Sequence, residues 1–219
     1  MEEYKEIIEL LDIDNSKYPK IEVLRDIIII FALIIKMKFD YTDKDEKTYE
    51  VIVSKYEKSE SKILKKIMDK ISQLYEGENE LRDILGEIFQ DIGGTEKFLD
   101  NKFFTPMPIA NIMPNTIFDI EKIKNKEFTT VYDAECASGA MLLGAANYFK
   151  KSGLDYKEKM YVYAEETESI CAYITYIQLT LYDIPGRVLL LSKNRDKVSE
   201  AMYTPRHYTG NWNEKLKNE

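Results

Sequence analysis

Apolar residues recur at three-, four- and seven-residue spacings in the first part of this chain, and further on they gather into short runs separated by helical stretches. Up to about Asp91 the period is helical. Glu3 to Leu11 predicts a short amphipathic helix, and Ile21 to Lys38 a longer, mostly buried one. Phe39 to Thr48 is polar and charged, and reads as a connection. Tyr49 to Tyr75 carries Ile52, Tyr56, Ile63, Ile67, Ile71 and Leu74 near one face, which predicts a single long helix. The heptad is not sustained, so a packed bundle helix fits better than a coiled coil. Asn79 to Asp91 predicts a further helix with Leu81, Ile84, Leu85, Ile88 and Phe89 inward, stopped by Gly93-Gly94.

From about Thr95 the pattern changes. An aromatic loop, Phe103-Phe104-Thr105-Pro106-Met107-Pro108, precedes an apolar-faced helix from about Ile109 to Phe118. Strands are predicted over Thr129–Asp133, Met160–Ala164 and Arg187–Leu191, with helices over Ala140–Lys150 and Ser169–Tyr182 between them. Strands alternating with helices of this length imply parallel βαβ units. The tail from Ser192 is polar and aromatic. The expected division is a helical domain over residues 1–94 and an α/β domain over residues 95–219.

With 44% hydrophobic residues in 219, a substantial core is available. The net charge of −8 argues against autonomous binding of duplex DNA, whose affinity is dominated by phosphate neutralisation. The nine-residue apolar run Ile27–Ile35 is too short to span a membrane, which takes roughly 20 such residues, so it reads as a buried helix. Two cysteines, Cys136 and Cys171, stand outside any metal-type spacing and suit a reducing cytoplasm as inert buried thiols. One histidine, His207, leaves no ordinary His-based metal site, and no metal is expected.

The stretch Thr130-Val-Tyr-Asp133-Ala-Glu-Cys136-Ala-Ser138-Gly139 is strand, turn and helix start in succession. Such a turn presents backbone N–H groups at the carboxyl edge of a parallel sheet, where nucleotide-like ligands bind. Taken alone, an acid and a glycine at a strand end are more readily a helix cap with small packing residues than a binding site. Three segments occur together, however: Phe103-Phe104-Thr105-Pro106, this turn, and Tyr163-Ala164-Glu165-Glu166. In that order and spacing the chain resembles the methylation (M) subunits of type I restriction-modification systems, the adenine-N6 DNA methylase family. Those proteins carry a G-Q-[FY]-[FY]-T-P segment, a D-P-A-C-G-S-G turn and a G-Q-[ED] strand end after a helical amino-terminal domain.

The resemblance implies a Rossmann-like methyltransferase fold and S-adenosylmethionine (AdoMet) as cofactor. It places Phe104, Thr105 and Pro106 in the loop covering the cofactor and Asp133, Cys136, Ser138 and Gly139 in its first turn. Glu166 falls where the family's acid bonds the ribose hydroxyls. The chain also departs from the pattern. Ala134, Glu135 and Ala137 replace Pro, Ala and Gly, and Leu191-Ser192-Lys193-Asn194 stands where the family has G-D-[ST]-L. No [ND]-P-P-[YF] tetrapeptide, the element that accepts from the adenine amine, occurs in the chain.

The expected architecture is therefore a truncated fold of this kind, with about three parallel strands, preceded by helices. No residue is assigned as catalytic. The leading functional expectation is a non-catalytic component of DNA modification or defence, working through a protein partner or homodimer and meeting DNA only indirectly. The alternatives are a methylase completed by a partner subunit and a structural dimer module without cofactor. In the family's sheet the first strand lies between the second and the fourth, so the Thr129–Asp133 edge here is expected to lack a neighbour. The tail, Glu200 to Tyr208, is expected to fold back onto that edge, with a homodimer through the helical part.

Overall fold

A computed structural model of the protein describes residues 4–14, 16–77, 79–99 and 103–217; Glu3, the start of the first expected helix, lies outside them. The chain divides into two compact units, Met1–Glu78 with Ile84–Phe103, and Asn79–Asp83 with Phe104–Glu219.

The first unit is helical: α1 (Lys5–Leu10), α2 (Lys20–Met37), α3 (Asp43–Val53), α4 (Lys58–Gln73), α5 (Ile84–Asp91) and α6 (Gly94–Phe98). The apolar run Ile27–Ile35 lies inside α2, where Ile27, Ile28, Ile30 and Leu33 are buried. The long helix expected over residues 49–75 is two helices. Helix α3 begins inside the expected connection, because Thr42 accepts the Asp45 N–H at 3.1 Å as an N-cap. Helix α4 starts from a capping box in which Glu57 N–H donates to the Glu60 carboxylate at 2.7 Å. The break between them positions Lys55 and Tyr56, which both donate to the buried Asp26 carboxylate, at 2.9 and 3.0 Å. Lys36 and Asp45 form a second, buried ion pair. Helix α5 begins at Ile84 rather than at Asn79. Within the described residues, no helix is long and apolar enough to cross a membrane.

The second unit carries α7 (Met107–Ile112), α8 (Pro114–Ile117), α9 (Ile120–Lys124), β1 (Thr129–Asp133), α10 (Ala140–Lys151), α11 (Tyr156–Lys159), β2 (Met160–Glu166), α12 (Ser169–Leu181), β3 (Gly186–Leu191), β4 (Val198–Tyr203), α13 (Pro205–Thr209) and α14 (Trp212–Lys215). The helix expected over Ile109–Phe118 is interrupted at Pro114, which lacks an N–H and so suits a first helical position. Helix α7 lies close on α10: a Cβ at Gly144 would sit 2.2 Å from the Ala110 carbonyl oxygen, so only glycine permits this approach.

The sheet has the order β1-β2-β3-β4, with β1, β2 and β3 parallel. Strand β2 is central and reads Met-Tyr-Val-Tyr-Ala with hardly a polar position, as a strand covered on both faces should. The three expected strands are present with a fourth that the parallel scheme did not contain. The tail does form a strand, but β4 pairs antiparallel with β3, Val188 opposite Met202, and not with β1. The reason is local. The short loop after Leu191 returns the chain directly beside β3 as a hairpin, whereas the opposite edge could be reached only by a longer connection across the sheet. Beyond β4, Trp212 is fully buried, its ring 5.1 Å from those of Phe128 and Tyr161.

Candidate functional site

Strands β1 and β2 run in register with Asp133 opposite Ala164, so the turn after β1 and the end of β2 meet at one edge of the sheet. The turn is fixed bond by bond. Asp133 accepts the Glu135 N–H at 3.1 Å, Cys136 N–H donates to the Glu165 carbonyl at 3.1 Å, and Gly139 N–H to the Cys136 carbonyl at 2.7 Å. Ala137 N–H donates to Glu166 Oε2 at 2.9 Å, and Thr175 on α12 donates to the Ala137 carbonyl at 2.8 Å. These two bonds hold Ala137 at a φ of +49°, the left-handed region that the family's glycine enters without strain. Gly139, at +92°, caps α10, and a Cβ there would press on Thr175 at 3.2 Å.

Glu166 is almost wholly buried, and its carboxylate is aimed by backbone. Besides Ala137 it accepts the N–H groups of Thr167 at 2.7 Å and Glu168 at 3.0 Å on Oε1. The Thr167 hydroxyl also reaches Oε1, at 3.4 Å, so Oε1 is filled, while Oε2, which accepts from Ala137, has one acceptor position left. The Asp133 carboxyl is pushed up from its ordinary range by burial, and further by the neighbouring charges of Glu166 and Glu135. That concentration of negative charge favours a cation at the tip of β1.

Part of the charge is already met. Arg195, on the loop between β3 and β4, donates to the Ala134 carbonyl at 2.7 Å and to Glu165 at 3.0 Å, and Glu165 also accepts the Tyr132 hydroxyl at 3.0 Å. Arg195 itself has a φ of +59°.

The expected site residues take distinct positions. Asp133, Cys136, Ser138, Gly139 and Glu166 come together at the turn. Ser138 is fully buried and its hydroxyl donates to Asp83 at 2.5 Å; Asp83 also accepts from Gln178 at 2.6 Å, and Gln178 donates to the Ser138 carbonyl at 2.8 Å. Cys136 is buried, which pushes its thiol well above the usual range and leaves no thiolate to act as a nucleophile. Phe104 is buried, while Pro106 is exposed and leads directly into α7, the helix pressed on α10. Among the described residues there is no group of three or more His, Cys, Asp or Glu that could hold a metal ion.

Asp83, Thr175, Gln178 and Arg195 are the site-forming residues that motif reading did not find. Gln178 and Thr175 do carry a signal, since both are polar residues within the otherwise apolar Ser169–Leu181 helix. A polar side chain at a core position needs a partner there.

Residues 80–192 match the N-6 DNA Methylase family. The crystal structure of the type I restriction-modification system methyltransferase subunit from Streptococcus thermophilus is similar at 16% identity and a TM-score of 0.47; the likeness covers 90% of this chain and 58% of that one. The chain thus spans a little over half the length of that subunit. No curated protein matches the sequence. The matched residues run from just before Asp83 through β1, the turn, Glu166 and β3, more than half of the 219 residues, and the chain belongs to the N-6 DNA methylase family.

Proposed function

We propose that this chain holds AdoMet at the turn after β1, does not transfer its methyl group unaided, and serves a DNA-modification or defence assembly through protein contacts. Glu166 carries the cofactor half of this reading. It is a carboxylate held by three backbone N–H donors and the Thr167 hydroxyl, with an acceptor position remaining on Oε2, at the strand end where the family's acid meets a ribose diol. Asp133 and its acidic neighbours would face the sulfonium and ammonium charges, and the left-handed Ala137 keeps the turn in the shape a glycine would give it. When bound, AdoMet supplies an electrophilic methyl group. Phe104, Thr105 and Pro106 would form the covering wall by their place ahead of α7.

The absence of transfer rests on sequence. A base-directed methylase needs acceptors for the exocyclic amine and a ring on which the extruded base stacks. The chain contains no [ND]-P-P-[YF] tetrapeptide to supply them. With a net charge of −8, contact with DNA through a partner fits better than direct phosphate binding. The two free, buried cysteines suit the cytoplasm.

Calorimetric titration with AdoMet tests the cofactor half. The wild-type protein is expected to bind, and Glu166→Ala to bind at least about tenfold more weakly, from the loss of a charge-assisted hydrogen bond. No heat of binding from the folded wild type would remove the cofactor assignment.

A further inference from the structure

We infer that Arg195 is a specificity-determining residue of the turn after β1: its guanidinium sets how the turn weighs a sulfonium against a neutral thioether. This rests on the cofactor half of the proposed function and deepens it. Arg195 reaches the turn from the opposite side of β2. The loop that carries it, residues 192–197, is closed on itself. Ser192 N–H donates to the Lys197 carbonyl at 2.9 Å, Arg195 N–H to the Ser192 carbonyl at 2.8 Å, and the Ser192 hydroxyl to Asp196. Arg195 stands in this loop at a φ of +59°, a region that disfavours a residue with a Cβ, and its side-chain bonds hold it there.

From the end of β3 its Nη2 crosses β2 to donate to Glu165 Oε2 at 3.0 Å and to the Ala134 carbonyl at 2.7 Å, while Nη1 lies 3.8 Å from Glu135 Oε1. Glu166 grips the same turn further on, through the Ala137 N–H. The turn is thus held by a guanidinium at Ala134 and by a carboxylate at Ala137.

The two grips differ in charge. Among the described residues, Asp133 and Glu166 accept from backbone N–H groups and the Thr167 hydroxyl and have no ion pair, whereas Glu165 and Glu135 face Arg195. Arg195 therefore offsets two of the four acids gathered here and leaves the other two to a ligand. A partly buried charge acts over several ångströms with little screening, so the guanidinium opposes any cation that the acids attract. AdoMet and S-adenosylhomocysteine share adenosine, ammonium and carboxylate, and differ in the methyl group and its positive charge. A residue that only shapes the turn changes both affinities alike. A charge acting on the sulfonium changes their ratio.

Calorimetric titration of the full chain with each of the two ligands tests this, with circular dichroism to establish that each variant is folded. The wild type is expected to bind both. Arg195→Gln should shift the affinity ratio toward AdoMet by at least about threefold. Arg195→Lys keeps the charge but loses the planar fork, so it should weaken both ligands and leave the ratio near that of the wild type. Glu135→Gln, at an exposed carboxylate, should shift the ratio toward the thioether. Lys193→Gln removes a charge from an exposed position on the same loop and should leave the ratio unchanged. An Arg195→Gln protein that loses affinity for both ligands equally overturns the inference and leaves the cofactor assignment standing. So does a shift of the same size in Lys193→Gln. Where Arg195→Gln does not fold or bind, Glu135→Gln decides, and an unmoved ratio there overturns the inference. A folded wild type that binds neither ligand removes the cofactor assignment, and this inference with it.

Discussion

At the turn after β1 the chain is held by buried charged and polar groups; beyond β4 it is held by rings. Glu166 holds the turn backbone, and Asp83, Ser138 and Gln178 satisfy one another beneath it, so these bonds fix the geometry of the turn. In the tail, Trp212 packs edge-on to Phe128 and tilted against Tyr161, with the Lys215 ammonium 4.4 Å from its ring centre. His207 lies in the same cluster, its Nδ1 2.6 Å from the Tyr161 hydroxyl and its Nε2 2.9 Å from Asn213 Oδ1. The Asn213 oxygen accepts, so Nε2 carries a proton, and in the neutral ring Nδ1 accepts from Tyr161. The contrast separates two tasks. Ring packing supplies stability with no preferred ligand geometry, whereas the polar network supplies geometry and is costly to leave incomplete.

The largest expected effect breaks the ring side alone. Trp212→Ala should destabilise the protein by about 3–5 kcal/mol in denaturant titration, through lost burial and the cavity left behind. Where the variant remains folded, its affinity for AdoMet should match the wild type. A parallel loss of affinity would mean that the two regions are not separable.

A somewhat smaller effect breaks the polar side. Asp83→Ala strands the Ser138 hydroxyl and the Gln178 amide in the core and should cost about 3 kcal/mol. Unlike the tryptophan variant it should also weaken AdoMet binding, because the turn loses its anchor from below. Unchanged affinity in calorimetry would restrict Asp83 to packing.

The smallest effect sharpens the comparison through pH. Burial lowers the His207 pKa from 6.5, so the unfolded chain binds more protons than the folded one just below that value. The stabilisation is complete above pH 6.5 and is lost as pH falls, by at most about 1.4 kcal/mol per pH unit. Melting curves for the wild type and His207→Gln should diverge in that window and run parallel above it. A parallel course throughout would show that His207 does not titrate in the cluster.

Much of the sheet and turn was legible because each signal was local. β2 and β3 are short apolar runs, and the small residues Ala137-Ser138-Gly139 stand where the backbone turns sharply. The rest depended on partners distant in sequence. Leu81 continues the helical spacing of Ile84, Leu85 and Ile88, yet its N–H and carbonyl are both taken by the Asn147 side chain at 2.8 Å, which keeps residues 79–83 out of α5. Asp83 reads as an ordinary surface acid until Ser138 and Gln178 are placed around it. The break between α3 and α4 is hidden because Ile52, Tyr56 and Ile67 keep helical spacing across it, while its mark, Glu57 with Glu60, is lost among other glutamates. The tail was expected to pair, but its place beside β3 escaped, because Val-Ser-Glu-Ala-Met-Tyr carries too little apolar pattern to say which edge it joins.

The central claim is a cofactor held without transfer, and one measurement meets it directly: incubation of the purified chain with plasmid DNA and methyl-labelled AdoMet, followed by separate counting of label on protein and on DNA. The account predicts reversible retention by the protein and no stable label in adenine. Labelled adenine, or a folded protein that retains nothing, would contradict it.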